Sequence, residues 1–267
     1  TAGGVSVAAL YMGGYLSGIL LGLCLAVYCF YVAKKRHYPR AEKFTIKNFL
    51  RALWLALPAL GAMLVVVGSV LLGWMTATEA AAAACIYTFI FTFVVEKAGT
   101  VKDIYVAFSR TIRTIGSVLI LAACATAFSW VITYLRIPQM VTAGLFAITT
   151  NKYVMLLIIN VILLIMGCFM NMVSIVYIMT PILLPIVTSF GMHPVTFGIM
   201  MIMNLGIGLL TPPVGQVLFV GSSISGLSVE RLTKAMLPQM AFMIIALILI
   251  ALIPGVTMWL PTVLGYI

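Results

Sequence analysis

Long apolar stretches separated by short polar punctuation run the length of this chain, and within them nothing alternates every second residue as a barrel strand would. The pattern predicts membrane helices. The first run, about 6–33, carries Gly13, Gly14, Ser17, Gly18 and Gly22, small residues that let helices approach closely. It ends at Lys34-Lys35-Arg36-His37-Tyr38-Pro39-Arg40, a basic flank of the kind held on the cytoplasmic side. Lys43, Lys47 and Arg51 then share one face of an expected arm helix over about 41–51, placed for lipid headgroups. Trp54 and Trp74 bracket the next crossing where an aromatic belt would sit.

Thr76-Ala77-Thr78-Glu79-Ala80 opens a helix expected to run to about Val95. Glu79 has two readings: a carboxylate placed in the membrane for ion or proton coupling, or one half of a capping box whose other half is Thr76. The Thr-x-x-Glu spacing at a span end favours the cap. Past Glu96-Lys97, the residues Val101, Ile104, Tyr105, Phe108 and Ile112 share one face, which predicts a second arm helix over about 101–113 lying in the membrane surface. A separate crossing is expected over 115–135, ended by Arg136 and Pro138, followed by a short apolar piece at 140–148.

The run from Tyr153 to Pro185 is too long for one crossing and is interrupted by Gly167, Asn171, Ser174, Thr180-Pro181 and Pro185. A crossing followed by a re-entrant hairpin at about 166–190, its tip near 167–174, fits this punctuation. Asn171 reads either as a site residue or as a hydrogen bond between helices. His193-Pro194 closes the hairpin as an interfacial loop, and a broken helix follows over 197–224.

The break lies in Asn204-Leu205-Gly206-Ile207-Gly208-Leu209-Leu210-Thr211-Pro212-Pro213-Val214-Gly215. Neither proline has an N–H, so a helix would leave the carbonyls of Gly208 and Leu209 without partners. Thr211 is pushed towards extended geometry, and Pro213 suits the first turn of a new helix. An unwound joint at membrane depth is stable only when buried in protein or lining a polar cavity. A charged turn at 228–234, a crossing at 236–252 and an aromatic tail with Pro254, Trp259 and Pro261 complete the chain.

Composition agrees. The 267 residues are 64% hydrophobic and 7% charged, with mean hydropathy +1.24, which excludes a soluble globular domain. At about 20 residues per crossing there is room for roughly six or seven passes. The excess of 15 Lys+Arg over 5 Asp+Glu gathers between spans, which fits the positive-inside rule and not nucleic acid binding. Cys24, Cys29, Cys85, Cys124 and Cys168 stand singly in apolar runs, as lipid-facing or packing residues do. The chain starts at Thr1 without a signal-peptide pattern and reads as a piece of something longer.

Gly208-Leu209-Leu210-Thr211-Pro212-Pro213-Val214-Gly215 resembles a signature of the large membrane (M) subunit of tripartite ATP-independent periplasmic (TRAP) transporters. Thr76-Ala77-Thr78-Glu79-Ala80-Ala81, Ile137-Pro138-Gln139 and Thr180-Pro181-Ile182-Leu183-Leu184-Pro185 are similar to that family as well, in the expected order. Ala77 replaces a usual proline, and Asn171 stands where an acidic residue is common nearby. The resemblance implies an all-α polytopic membrane protein, half of an inverted-repeat elevator transporter. It implies sodium-driven uptake of an organic acid anion such as sialic acid or a C4-dicarboxylate, across the bacterial inner membrane. Implied partners are a small membrane (Q) subunit, a periplasmic binding protein, the upstream half of the M subunit and lipid.

On this reading, 1–135 is mainly scaffold with the two arms, 136–227 holds the transport part, and 228–267 returns to scaffold. Candidate sodium ligands are Gly167, Asn171, Thr180, Gly208, Leu209 and Thr211. Candidate substrate contacts are Asn171, Ser174, Pro212, Pro213 and Gly215, with the N–H groups of Gly215 and Gln216 at the positive end of the new helix. The hairpin and break contain no Lys or Arg, so any charged clamp on a carboxylate lies elsewhere. The other readings are a scaffold subunit that does not transport, or an intramembrane enzyme. The enzyme would need a paired catalytic set that these apolar helices lack.

Overall fold

A computed structural model describes residues 3–36, 45–149 and 151–267, and every regular element among them is helical. Seven of these helices are long and apolar enough to cross a membrane, so the chain is a multi-pass membrane protein. Helix α1 (Val7–Lys35) ends on Lys34 and Lys35 as expected, while His37 to Arg40 and Lys43 lie outside the described residues. Two compact units emerge, one of Arg36–Ser117 and one of Thr1–Lys35 with Val118–Ile267.

In the unit Arg36–Ser117, α2 (Ile46–Leu71) is one continuous helix, so the described part of the expected arm at 41–51 is simply its first turns. Nothing between Ile46 and Trp54 interrupts helical geometry, and Pro58 is absorbed inside. Helix α3 (Ala77–Ile90) continues into a π-helical turn, Phe91–Val95, ending where the apolar pattern does. Its start is a capping box: the Thr76 N–H donates to Glu79 Oε2 at 2.8 Å, and the Glu79 N–H donates to Thr76 Oγ1 at 3.4 Å. The Glu79 carboxylate therefore serves a helix end. Tyr87 on α3 donates its hydroxyl to the Pro58 carbonyl at 3.0 Å, crossing α2 where Gly61 leaves room for the ring.

Helix α4 (Val101–Tyr134) corrects a second expectation, because the surface arm at 101–113 and the crossing at 115–135 are one 34-residue helix. It is about 51 Å long, well beyond the roughly 30 Å of a hydrocarbon core. Thr111, Thr114 and Ser117 sit at the expected seam, but each returns its hydroxyl to the carbonyl four residues earlier and leaves the helix intact. Val101, Tyr105, Phe108 and Ile112 remain an exposed apolar face. A short helix, α5 (Ile137–Ile148), follows.

In the unit that contains Val118–Ile267, the stretch predicted as a crossing plus a hairpin holds two helices and one turn. Helices α6 (Lys152–Phe169) and α7 (Met172–Ser189) have 18 residues each, about 27 Å. The hairpin is thus 152–189 and not 166–190, each arm having the length of a full crossing. Pro181 and Pro185 sit inside α7, and Thr188 covers the carbonyls of Leu184 and Pro185 with its hydroxyl at 2.9 and 3.0 Å.

Helix α8 (Pro194–Gly208) is the centre of this unit, with Val195, Phe197, Met200, Met201, Leu205 and Ile207 all buried. His193 caps it, Nδ1 accepting the Val195 N–H at 3.3 Å, in keeping with an interfacial turn residue. Met155, Ile159 and Leu163 of α6, Ile175 and Ile186 of α7, and Leu247 and Ala251 of α10 (Val229–Leu252) join α8 in one apolar cluster. The charged residues expected as a turn at 228–234 form the first turns of α10. Helices α1 and α11 (Pro254–Val263) close on α8 from another side. Gly13 permits that approach, since a Cβ there would lie 2.6 Å from both Ile199 Cδ1 and the Thr257 carbonyl. The hydroxyls of Thr196 and Thr257, both fully buried, bond each other at 2.7 Å.

Candidate functional site

The proline-rich break exists, and the chain rebonds itself across it. Helix α8 ends at Gly208, after which the N–H groups of Leu210 and Thr211 donate to Ile207 and Gly208 three residues back, at 3.0 and 2.9 Å. The Leu209 carbonyl accepts the Val217 N–H at 3.2 Å. The carbonyls of Gly208 and Leu209, expected to be freed by the prolines, are therefore each engaged once, because the turn is tight enough to bring new donors. The second half-helix, α9 (Gln216–Ser225), begins at Gln216 and not at Pro213. Gly215 precedes it in a left-handed conformation, φ +46°, that a side chain would resist. The Pro212–Pro213 peptide bond is cis, and both prolines are exposed.

The hairpin tip lies against this break. Asn160 meets Met200 and Asn204, while further along Gly167 meets Gly208, so α6 and α8 run parallel. Helix α7 turns into α8 through residues 190–193, and Thr180 meets Met201, so those two run antiparallel. The tip at Met170-Asn171 consequently points to the same end of the unit as the break. Contact there is backbone on backbone: a Cβ added to Gly208 would stand 2.7 Å from Gly167 Cα and 2.9 Å from Gly167 C. The Cys168 side chain neighbours Thr211, while its thiol donates to the Leu164 carbonyl at 3.1 Å. Thr211 itself donates its hydroxyl to the Ile207 carbonyl at 2.8 Å.

Of the sequence candidates, Gly167, Gly208, Leu209 and Thr211 are thus brought together. Asn171 stands at the tip as the N-cap of α7, Oδ1 accepting the Val173 N–H at 2.8 Å, a cap in place of the bond between helices considered above. Ser174 lines a different space, with Leu121, Cys124, Ala125, Phe128, Tyr177 and Ile178. Thr180 is buried with Oγ1 3.8 Å from Met201 Sδ. It lies nine residues beyond the tip, about 13 Å along the helix, and apart from the Gly167–Gly208 contact. Two residues that the sequence did not single out, Asn160 and Asn204, form a polar pair in the interior of α6 and α8.

The family profile described as "Tripartite ATP-independent periplasmic transporter, DctM component" matches residues 1–256. The isethionate TRAP transporter permease protein DctMQ of Oleidesulfovibrio alaskensis is 38% identical over 255 residues, which cover 95% of this chain and 40% of that protein. The sialic acid TRAP transporter large permease protein SiaM of Vibrio cholerae is 32% identical, covering 98% of this chain and 61% of its own length. The C4-dicarboxylate TRAP transporter large permease protein DctM of Pseudomonas aeruginosa is 32% identical, with 97% and 61% covered. The chain therefore spans about three fifths of the length of the large permeases it matches. A match reaching from the first crossing to the last helix, through the capped α3, the hairpin and the rebonded break, places this chain in the DctM component family of TRAP transporters.

Proposed function

We propose that the chain supplies one half of the site of a sodium-coupled importer of an organic acid anion in the bacterial inner membrane. The observation that carries this reading is the contact of Gly167 with Gly208, which sets a hairpin tip on the end of a broken helix. A carbonyl oxygen has two lone pairs, so Gly208 and Leu209, each accepting one N–H, keep one for a cation. Thr211 spends its hydrogen on Ile207 and keeps its oxygen lone pairs. These hard oxygens stand at the negative end of the α8 dipole, a setting suited to Na+.

The positive end of α9 faces the same loop and suits a carboxylate or sulfonate. Pro212, Pro213 and Gly215 lead into that end, and Asn171 sits at the tip opposite. The relatives named above are permeases for isethionate, sialic acid and C4-dicarboxylates, all organic anions, which supports the class without choosing a member. With no Lys or Arg in hairpin or break, a charged clamp on the substrate belongs to the upstream half of the subunit or to a residue outside these two elements. The apolar core shared by α6, α7, α8 and α10 favours their moving as one body in an elevator motion, which would carry α10 with the transport part rather than the scaffold. A small membrane subunit, a periplasmic binding protein and lipid complete the system.

The test is uptake by the full-length protein, with its small subunit, in liposomes under an imposed sodium gradient. Accumulation of organic anion that follows the gradient and requires a binding protein is expected. Uptake indifferent to sodium overturns the coupling, and the absence of both uptake and sodium binding favours a scaffold role.

A further inference from the structure

Buried Asn204 of α8 meets half-buried Asn160 of α6, on the same helix faces as the two glycines of the site. Asn160 precedes Gly167 by seven residues and Asn204 precedes Gly208 by four, spacings that nearly return to one face. Asn204 is fully buried. Its Nδ2 donates to the backbone carbonyl of Asn160 and to Asn160 Oδ1, both at 2.8 Å. Two acceptors around one atom fix the amide, since the reversed amide would set oxygen against oxygen. Asn160 is held in turn, Nδ2 donating to the Leu156 carbonyl at 2.8 Å and reaching Met200 Sδ at 3.4 Å.

The orientation leaves Asn204 Oδ1 buried without a partner, which is destabilising. Two apolar side chains of similar volume would avoid that cost, so stability alone does not account for the pair. What it does supply is direction. Leu, Ile and Met surfaces slide on one another with little loss, whereas a shift of one residue, about 1.5 Å along the axis, breaks both bonds of Asn204.

We propose that Asn160 and Asn204 are positioning residues: their hydrogen bonds hold α6 and α8 in the register that seats Gly167 on Gly208 and joins the hairpin tip to the break. The effect on sodium rests on the ion-site reading above; the register does not.

The experiment uses the full-length protein in proteoliposomes, with Cys24, Cys29, Cys85 and Cys124 changed to serine and Thr211→Cys placed beside the native Cys168. Disulfide formation between positions 168 and 211 under a mild oxidant reports the register. In N160L/N204L the rate is expected to fall about tenfold, as for loss of hydrogen bonds worth a decade, with thermal stability near that of the parent. An unchanged rate overturns the proposal. Should the double variant fail to insert, N160A and N204A decide: N204A must slow cross-linking more, because N160A leaves Asn204 its bond to the Asn160 backbone carbonyl. Equal or reversed effects overturn the register role. With Cys168 and Thr211 native, the sodium half-saturation of uptake in N160L/N204L is expected to rise about tenfold at similar maximal rate. Parent uptake indifferent to sodium would retire the coupling reading, and the cross-linking rate would still decide the register.

Discussion

Replacing Gly208 with alanine puts a methyl group into a contact with no room for it. The new Cβ would stand 2.7 Å from Gly167 Cα, 2.9 Å from Gly167 C and 3.3 Å from Gly167 O, where carbon–carbon contacts settle at about 3.5–4.0 Å. All three neighbours are backbone, so no rotamer change relieves the clash, and α6 must move from α8 by about 1 Å to restore ordinary contact. Overpacking of this kind costs about 1–3 kcal/mol, and alanine recovers up to about 1 kcal/mol of helix propensity. The net loss of about 0–2 kcal/mol is small for the fold and falls wholly on the joint between hairpin tip and break. Gly167→Ala meets Gly208 Cα at 3.1 Å and Leu205 atoms at 3.5 and 3.6 Å, a contact that a shift of a few tenths of an ångström relieves. Sodium-driven uptake in proteoliposomes, measured beside thermal unfolding, should show G208A reduced about tenfold with a modest change in melting, and G167A less affected. Wild-type uptake by G208A, or G167A as the worse of the two, would refute a site built on this contact.

Three further outcomes follow from the same geometry. Thr211→Ala removes the one side-chain oxygen at the break that keeps free lone pairs, so it should raise the sodium half-saturation while leaving assembly intact; unaltered sodium dependence in uptake assays would remove Thr211 from the ion site. Glu79→Gln should transport within about twofold of wild type, because glutamine also completes a capping box, whereas loss of sodium coupling would restore the carboxylate to a coupling role. Gly215→Ala forces a side chain into a left-handed residue, with Cβ 2.8 Å from Leu218 Cδ1, a conformation that alone costs about 1–2 kcal/mol. It should lower uptake more than thermal stability, and an unaffected G215A would show that the start of α9 does not govern transport.

Local rules carried the fold a long way. Apolar run lengths placed the crossings, Thr76 and Glu79 announced a cap that the fold makes, and the paired prolines announced the break. The misplacements have two physical origins: a one-sided basic or apolar face was read as a separate surface arm at 41–51 and 101–113, and punctuation was read as a break between 153 and 185. The apolar face of Val101, Ile104, Tyr105, Phe108 and Ile112 marked an expected surface arm, yet α4 runs on through it, the hydroxyls of Thr111, Thr114 and Ser117 returning to the preceding turn. Pro181 and Pro185 likewise sit inside α7. In an apolar medium the backbone must be satisfied within its own segment, so a helix persists through residues that would end it in water. The same demand rebonded the Gly208 and Leu209 carbonyls.

What one-dimensional pattern could not supply was which face of one helix meets which face of another. Gly167 and Gly208 were each visible as candidates from their surroundings, but their contact joins residues 41 positions apart and depends on α6 and α8 lying parallel. Asn160 carried less signal still. It stands in an apolar run much as Asn171 does, yet Asn171 caps a helix at an exposed turn and Asn160 bonds a second asparagine in the core. Composition and spacing are alike for the two; only the partner distinguishes them. For a membrane helix bundle, the residues that assemble a site are therefore legible where they bend the chain, as at Thr211 and Gly215, and silent where they act across it, as at Asn160 and Asn204.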